Sequence, residues 1–492
     1  MNGIKGKMRR LCFSGFVFAL LFLIVVFVNC NSEGHSRHKR KTAQQNGNND
    51  NTGDTFPFYA KHIILFIGDG MQLEYEVAES RYLYGADFQL SWNKFPYRAY
   101  VATWDIDTYN AYAPGLGKAP YNETTFDPMV GYDPAKGGTA PYPIDKTGDQ
   151  SYLLVSATDS ASAATAIATG VKTDHGNISW LSGDPPNGAI ETIAEKMRAQ
   201  KSASMGVVST VPFDHATPAA FVSHNPDRND FTGMADEIIH ATKPEVVIGG
   251  GHPNWCGYTY ITEPQLDELR TSSEYVLVER VDGQDGGANL LNAANLLSPD
   301  KKLFGLFGGS GSNFDSPVPA DNHGNPGFTV NDEDPTLAEA TEAALTVLSR
   351  NTHGFFLMVE SGAIDWANHG NNYTVMIGEM WSLEEAVKAA EAFVDRPGDD
   401  VDWNNTIIIV TADHATGGMR LTDSPILGKG ELPHGGEMTY ATGGHTNELV
   451  TLYINRSFTH EFKQLEGTWY NGAKILDNTQ LFDAMAEAAN LQ

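Results

Sequence analysis

His62-Ile63-Ile64-Leu65-Phe66-Ile67-Gly68-Asp69-Gly70-Met71 is a continuous apolar run that ends on an aspartate between two glycines. An unbroken run of this kind, with no polar alternation, marks a strand covered on both faces, as in a parallel sheet flanked by helices. The pattern recurs at Ser204–Val211, Val246–Gly251, Phe355–Val359, Thr406–Val410 and Leu449–Ile454. Helical spacing separates several of these runs, over Ala189–Arg198, Leu337–Leu348 and Tyr373–Val394. Strands alternating with helices predict an α/β fold on a large, mainly parallel central sheet with helices on both faces. Two stretches interrupt the rhythm and read as surface insertions. Residues 105–150 carry repeated Pro, Gly, Tyr and Asp, and residues 252–335 loosen into Gly, Asn and Asp.

Open parallel sheets place their ligands beyond the carboxyl ends of the strands. Asp69 stands there after the first run, Glu360 after Phe355–Val359, and Asp413-His414 after Thr406–Val410. Asp365 and His369 follow Glu360, and His445 closes Gly443-Gly444-His445 ahead of Leu449. Each has a plain reading when taken singly. Gly-Asp-Gly makes a turn, and Asp365 and His369, four apart, make a local ion pair on a helix. Recurrence at successive strand ends favours a shared metal centre. Oxygen and nitrogen ligands without thiolate suit hydrolytic zinc, with a carboxylate–hydroxyl set for magnesium.

A second stretch, Ala157-Thr158-Asp159-Ser160-Ala161-Ser162-Ala163-Ala164-Thr165-Ala166-Ile167-Ala168-Thr169-Gly170, follows Tyr152-Leu153-Leu154-Val155, which reads as a strand. Its alanines favour helix and Gly170 supplies a stop. Strand, turn and helix would raise Ser160 at a helix N-terminus, where unpaired N–H groups favour an anion or an alkoxide. Thr158, Asp159 and Ser160 also suit the plain role of capping a buried helix.

The chain has 492 residues, 33 basic against 61 acidic, for a net charge of −28. Such a surface repels nucleic acid and anionic membranes, so neither is expected as a partner. Residues 1–29 read as a signal peptide or signal anchor, with a basic Lys5–Arg10 and an apolar Leu11–Val28. Lipid attachment at Cys30 is a third option. Residues 30–57 read as a flexible linker of low complexity, and 58–492 as one large folded domain. Export, to a periplasmic or extracellular location with a tether at most through this N-terminus, is the expectation. Cys256 is the only cysteine in the body, so no intrachain disulfide can form there.

Over most of Tyr59 to Ile454 the chain resembles the alkaline phosphatases. The matching blocks are Phe66-Ile67-Gly68-Asp69-Gly70-Met71, Thr158 to Thr165, His215-Ala216-Thr217-Pro218-Ala219-Ala220, Val359 to Asp365, Thr411-Ala412-Asp413-His414 and Gly444-His445-Thr446. The resemblance implies that 58–492 is an alkaline phosphatase catalytic domain, acting on small phosphate monoesters of broad range. It implies one zinc on Asp365, His369 and His445, a second on Asp69, Asp413 and His414, and magnesium on Asp69, Thr217 and Glu360. Ser160 would be the nucleophile, passing through a phosphoserine, with Arg228 clamping the phosphate oxygens. A homodimer is implied as well.

Three positions depart from the family's commoner residues. Ala157 stands where Val or Ile is usual, a packing change. His215 stands where some members carry Asp near the magnesium, and Trp366 where some carry Lys or His beside the phosphate. These put the third metal's identity and the grip on product phosphate in question. The competing readings are a phosphodiesterase or sulfatase of the same superfamily, and a metal- or phosphate-binding protein without turnover. The sulfatase Cys-x-Pro-x-Arg signature is not matched at Cys256-Gly257-Tyr258. An intact Ser160 beside a full ligand set argues against a non-catalytic role.

Overall fold

The structure, a computed structural model, describes residues 59–127, 130, 141–147, 149–320, 327–398, 400–422, 428–432, 437–455, 457–468 and 474–492. The expected export signal and linker at 1–57, with Cys30, lie outside the described residues, as does much of 128–140.

Ten strands form one sheet: β1 (His62–Gly68), β2 (Tyr97–Ala102), β3 (Ser204–Pro212), β4 (Val246–Gly250), β5 (Tyr275–Glu279), β6 (Lys302–Leu306), β7 (Phe355–Ser361), β8 (Thr406–Thr411), β9 (Val450–Ile454) and β10 (Ile475–Asp477). Their spatial order is β10-β2-β9-β8-β1-β7-β3-β4-β6-β5. Every neighbouring pair is parallel except the two made by β9, which runs against both β8 and β2. The apolar runs explain the centre of this order. β1, β3, β7 and β8 are buried along their whole length, as parallel strands with both faces covered must be. β1 lies between β8 and β7, with Ile64 opposite Ile408 on one side and Leu357 on the other.

The principal helices are α1 (Leu73–Tyr84), α2 (Ser160–Thr169), α3 (Ala216–Val222), α4 (Leu337–Leu348), α5 (Ala363–His369), α6 (Tyr373–Val394) and α7 (Asn478–Ala488). α4 starts on a reciprocal cap, Thr336 with Glu339. α2 ends where Gly170 adopts φ +74°, a conformation that favours glycine.

The structure corrects two expectations. Tyr152–Val155 is no strand: Ser151–Leu154 forms a short 3₁₀ turn. The Ser151 N–H donates to Asp149 Oδ1 (2.9 Å), which bends the chain, and a four-residue apolar run cannot settle the period. Tyr152 and Leu153 bury into a second small core with Trp104 and Tyr109, while Val155 is 76% exposed. Ser160 therefore follows an unpaired stretch rather than a strand. Residues 252–335 are not only surface insertion, because β5 and β6 within them extend the central sheet to its edge. β5 is half-buried beyond Tyr275, as an edge strand is, so its sequence lacks the unbroken apolar signature. Within 105–150, Ile106–Tyr112 is helical, capped by Asp105 Oδ1 on the Thr108 N–H (2.8 Å).

Phe66 is fully buried in β1. Phe66→Ala is expected to cost roughly 3–5 kcal/mol, the transfer free energy plus an unfilled cavity. Urea unfolding at matched metal content checks this.

Candidate active site

Three neighbouring strands bring the acidic residues together. β1, β7 and β8 run parallel side by side, so Asp69, Glu360 and Asp413-His414 arrive at one edge of the sheet. Gly70 completes the turn with φ +69°, and its N–H donates to Asp413 Oδ1 (3.1 Å). A Cβ there would meet Thr416 Oγ1 at 2.7 Å and Asp365 Oδ1 at 2.9 Å, so this close approach requires glycine.

Asp69, Asp413 and His414 form one compact set of potential ligands, all buried. His414 Nε2 lies 3.4 Å from Asp69 Oδ1, 3.3 Å from Asp413 Oδ2 and 3.1 Å from Ser160 Oγ. α5 supplies the neighbouring set. Helical spacing puts His369 Nε2 3.1 Å from Asp365 Oδ2, and His445 Nε2 lies 3.5 Å from Asp365 Oδ1. The two Nε2 atoms are 3.1 Å apart. Asp365, His414 and His445 also form a compact group, so His414 borders both sets.

The outer contacts orient these rings. His369 Nδ1 lies 2.6 Å from the Gly443 carbonyl and His445 Nδ1 2.8 Å from that of Thr158. A carbonyl only accepts, so each Nδ1 carries the proton and, in the neutral ring, each Nε2 turns a lone pair inward. Both Asp69 oxygens, Asp413 Oδ2, Glu360 Oε1 and Thr217 Oγ1 are buried and find no hydrogen-bond partner among the described residues. Carboxylate and imidazole lone pairs converge on a centre with few donors, and a cation would satisfy them. The residues fit zinc at the nitrogen-bearing sets and a harder ion at Asp69, Glu360 and Thr217.

The electrostatics agree. Burial and the adjacent Asp413, Asp365 and Glu360 carboxylates push the Asp69 carboxyl well above its usual range. Burial, reinforced by Asp413, raises Glu360 to about 8 against its bond from Ser209. Burial, reinforced by Asp365, raises Asp413 to about 7. Burial pushes His414 well below the ordinary histidine value, helped by His445. Burial and Arg228 lower His215 to about 3, so it is neutral.

Ser160 is the first residue of α2 and 2% exposed. Asp159 caps the helix, accepting from Ser162 N–H (3.0 Å), Ser162 Oγ (2.7 Å) and Gly176 N–H (3.1 Å). Arg228 donates to Asp159 Oδ2 at 2.8 Å, and its other N–H groups have no acceptor among the described residues. Trp366 packs edge-on to His215, with ring centroids 5.6 Å apart.

The sequence model of the family described as alkaline phosphatase matches residues 134–479. The chain belongs to the alkaline phosphatase family. It is thus a hydrolase of phosphate monoesters. It is 31% identical to the alkaline phosphatase of Escherichia fergusonii, over 88% of this chain and 86% of that protein. To the Escherichia coli K12 alkaline phosphatase it is 30% identical, over 88% and 87% respectively. Two solved alkaline phosphatases share the fold. That of the Antarctic bacterium TAB5 matches with TM-score 0.57 at 21% identity, covering 88% of this chain and 99% of that one. That of Thermus thermophilus gives 0.58 at 20%, covering 89% and 92%.

Around this candidate centre lie residues that the sequence reading missed. Thr416 Oγ1 donates to Asp365 Oδ1 (2.6 Å) and lies 3.3 Å from His414 Nδ1. Its place two residues after His414 was the available signal. Ser162 Oγ also lies 2.7 Å from Asp105 Oδ2, so its single proton is shared between that carboxylate and Asp159, and Asp105 Oδ2 pairs with His175 Nε2 at 2.7 Å. Asp105 is 54 residues upstream of Asp159 in a stretch without periodicity, and no local signal linked the two.

Burial opposes ionisation of Asp159, but Arg228 and the Ser162 donors prevail and hold its carboxyl below the usual range. A depressed carboxyl adds stability above its unfolded value near 4, which is lost as pH falls through the folded value. Asp159→Asn is therefore expected to cost roughly 1.5–3 kcal/mol near neutrality. The gap between parent and variant should close as the pH falls below about 4, read by denaturation at each pH.

Proposed function

We propose that this alkaline phosphatase works through a phosphoserine at Ser160. Zinc would be held by Asp365, His369 and His445 and by Asp69, Asp413 and His414, with magnesium on Asp69, Thr217 and Glu360. The observation that carries the reading is Ser160 Oγ at a helix N-terminus, 3.1 Å from His414 Nε2, beside buried carboxylate lone pairs that a cation would satisfy. A mutant of the TAB5 enzyme has been solved with Mg bound at a site designated M3, which supports a magnesium position here. When bound, the metals supply positive charge that eases ionisation of serine and water and neutralises phosphate oxygens.

The chain's own residues do the rest. Ser160 Oγ attacks phosphorus, forming its O–P bond as the ester O–P bond breaks and the alcohol departs with a proton. Water then attacks the phosphoserine, releasing inorganic phosphate and restoring the hydroxyl. The unpaired N–H groups at the start of α2 face the accumulating charge. Arg228, steadied on one side by Asp159, offers its remaining N–H groups to two phosphate oxygens. Export is part of the proposal, supported by the basic Lys5–Arg10 and apolar Leu11–Val28. No helix among the described residues is long and apolar enough to cross a membrane.

Zinc content measured together with phosphate release from aryl mono- and diesters tests the reading. A diester preference would move the chain to phosphodiester chemistry, and zinc without release would make it a binding protein. Ser160→Ala is expected to abolish the phosphoenzyme while zinc stays near the parent's. Covalent phosphate still trapped at acid pH on that variant would refute the nucleophile.

Trp366 offers one N–H and no charge. Lysine there would add a cation near the phosphate, so Trp366→Lys should lower the phosphate Ki. Where release limits turnover it should also lower kcat at alkaline pH. An unchanged or higher Ki at matched metal content would return Trp366 to packing against His215.

A further inference from the structure

Arg228 sits on an irregular strap that leaves α3 and must be aimed by something other than helix geometry. Three backbone bonds tie the strap to the segment behind Ser160. Ile178 and Asn225 exchange N–H···O bonds of 2.8 Å each, and Arg228 N–H donates to the Gly176 carbonyl at 2.9 Å. Gly176 N–H in turn donates to Asp159 Oδ2, so strap and guanidinium share one anchor. Asn225 Nδ2 adds a bond to Asp230 Oδ2 (3.0 Å).

The base of the strap is His224. Its backbone N–H donates to Glu237 Oε2 (2.8 Å), its Nδ1 lies 2.8 Å from Glu237 Oε1, and its Nε2 lies 3.2 Å from Glu195 Oε2 and 3.1 Å from the Ile190 carbonyl. Glu195 belongs to the helix Ile193–Lys201 and Glu237 to the helix Phe231–Glu237. The imidazole thus pins the strap to two separate helices. It is only 10% exposed, and the carboxylates are 27% and 26% exposed, so water screens these bonds little.

We propose that His224 is the positioning residue for Arg228, holding the strap between Glu195 and Glu237 so that the guanidinium meets the phosphate. The inference rests on Arg228 being the phosphate clamp. A neutral imidazole has one N–H and can donate to one carboxylate alone, so the two-sided grip needs the protonated ring. Burial disfavours that charge, but Glu195 and Glu237 outweigh it and raise His224 to about 10. These are the titratable groups that face the ring: α3 contributes none, and nearby Glu191 pairs with Lys196 at 3.5 Å. A raised histidine value means the grip is complete below the ordinary value near 6.5 and is lost as the pH climbs through about 10.

The experiment compares inorganic phosphate Ki and kcat for the parent, His224→Gln, Glu195→Gln, Arg228→Ala and the His224→Gln/Arg228→Ala double variant, at matched zinc content. At pH 8, Arg228→Ala should raise Ki by about tenfold or more, the loss of a charged bidentate contact. His224→Gln should raise it roughly 5- to 10-fold through misplacement of the clamp, with kcat changed less. The ratio of variant to parent Ki should fall towards 1 above about pH 10, where the parent loses the same proton. In the double variant the His224 change should add nothing to the loss of Arg228. Should His224→Gln fold poorly, Glu195→Gln removes one arm only and should raise Ki about 2- to 3-fold, again converging at high pH.

An unchanged Ki in Arg228→Ala overturns the clamp itself. A raised Ki there, with an unchanged Ki in His224→Gln and Glu195→Gln, overturns the positioning role alone. A His224 effect that persists without Arg228, or that is constant with pH, also overturns it, since that is the signature of general loosening.

Discussion

The repulsion among four buried carboxylates governs this molecule. Asp69, Asp365, Asp413 and Glu360 are each at most 4% exposed; parallel strand ends deliver three of them to one place, and helix α5 adds Asp365. Two such charges 4 Å apart repel by roughly 4 kcal/mol at an effective dielectric of 20. A few of those terms rival the whole stability of a domain, about 5–15 kcal/mol. Burial, reinforced by this repulsion, drives Asp69, Asp413 and Glu360 upward, whereas against burial His369 and its neighbours hold Asp365 down. Burial pushes His414 and His445 towards the neutral form, and against burial Asp365 raises His369 to about 9. A divalent cation placed among them would add an attraction to each carboxylate that outweighs this repulsion, and metal binding would then be coupled to folding.

The same logic explains why the cationic element is built separately. Arg228 cannot sit among the carboxylates without neutralising the sites that cations need. It stands outside them, held by Asp159 at the cap of α2 and by a strap whose bonds are mostly backbone to backbone. Backbone bonds fix a path but not a rotation, so the strap also needs a side-chain anchor, and the doubly held His224 is placed to provide one. The Ser160 side of the centre is likewise fixed from behind, where Ser162 bridges Asp159 and Asp105.

The parts of this arrangement legible in the sequence share one property: their signal is local. The unbroken apolar runs of β1, β7 and β8 declared buried parallel strands, and the residues just after them declared the site. Asp365 and His369 were readable because helical spacing alone puts them on one face. Tyr152–Val155 was misread because four apolar residues fit a strand and a 3₁₀ turn equally, and the bond from Ser151 to Asp149 decides. β5 escaped notice because an edge strand needs only one good partner and tolerates polar residues, and β6, though it has two partners, is only five residues long and is interrupted by Gly305. Asp105 and the carbonyls of Thr158 and Gly443 carry no sequence signature, since their roles exist only once distant segments meet.

Charge poses the last constraint. A chain of net charge −28 has to accept a phosphate dianion. Charges on the distant surface matter little, because at physiological salt they are screened beyond about 8 Å. The near field decides, and there the chain's own account is unfavourable. Arg228 is balanced by Asp159, His414 and His445 are pushed towards the neutral form, His369 is matched by Asp365, and three more carboxylates lie beside them. Helix α2 offers only a partial charge of about one half at its N-terminus. The protein residues alone therefore repel the ligand, and on the proposed function the sign of the site would be set by the cations they hold. On the proposed function Arg228 would orient a phosphate that the metals attract, and the uncharged Trp366 would add nothing to that attraction, which favours release of the product.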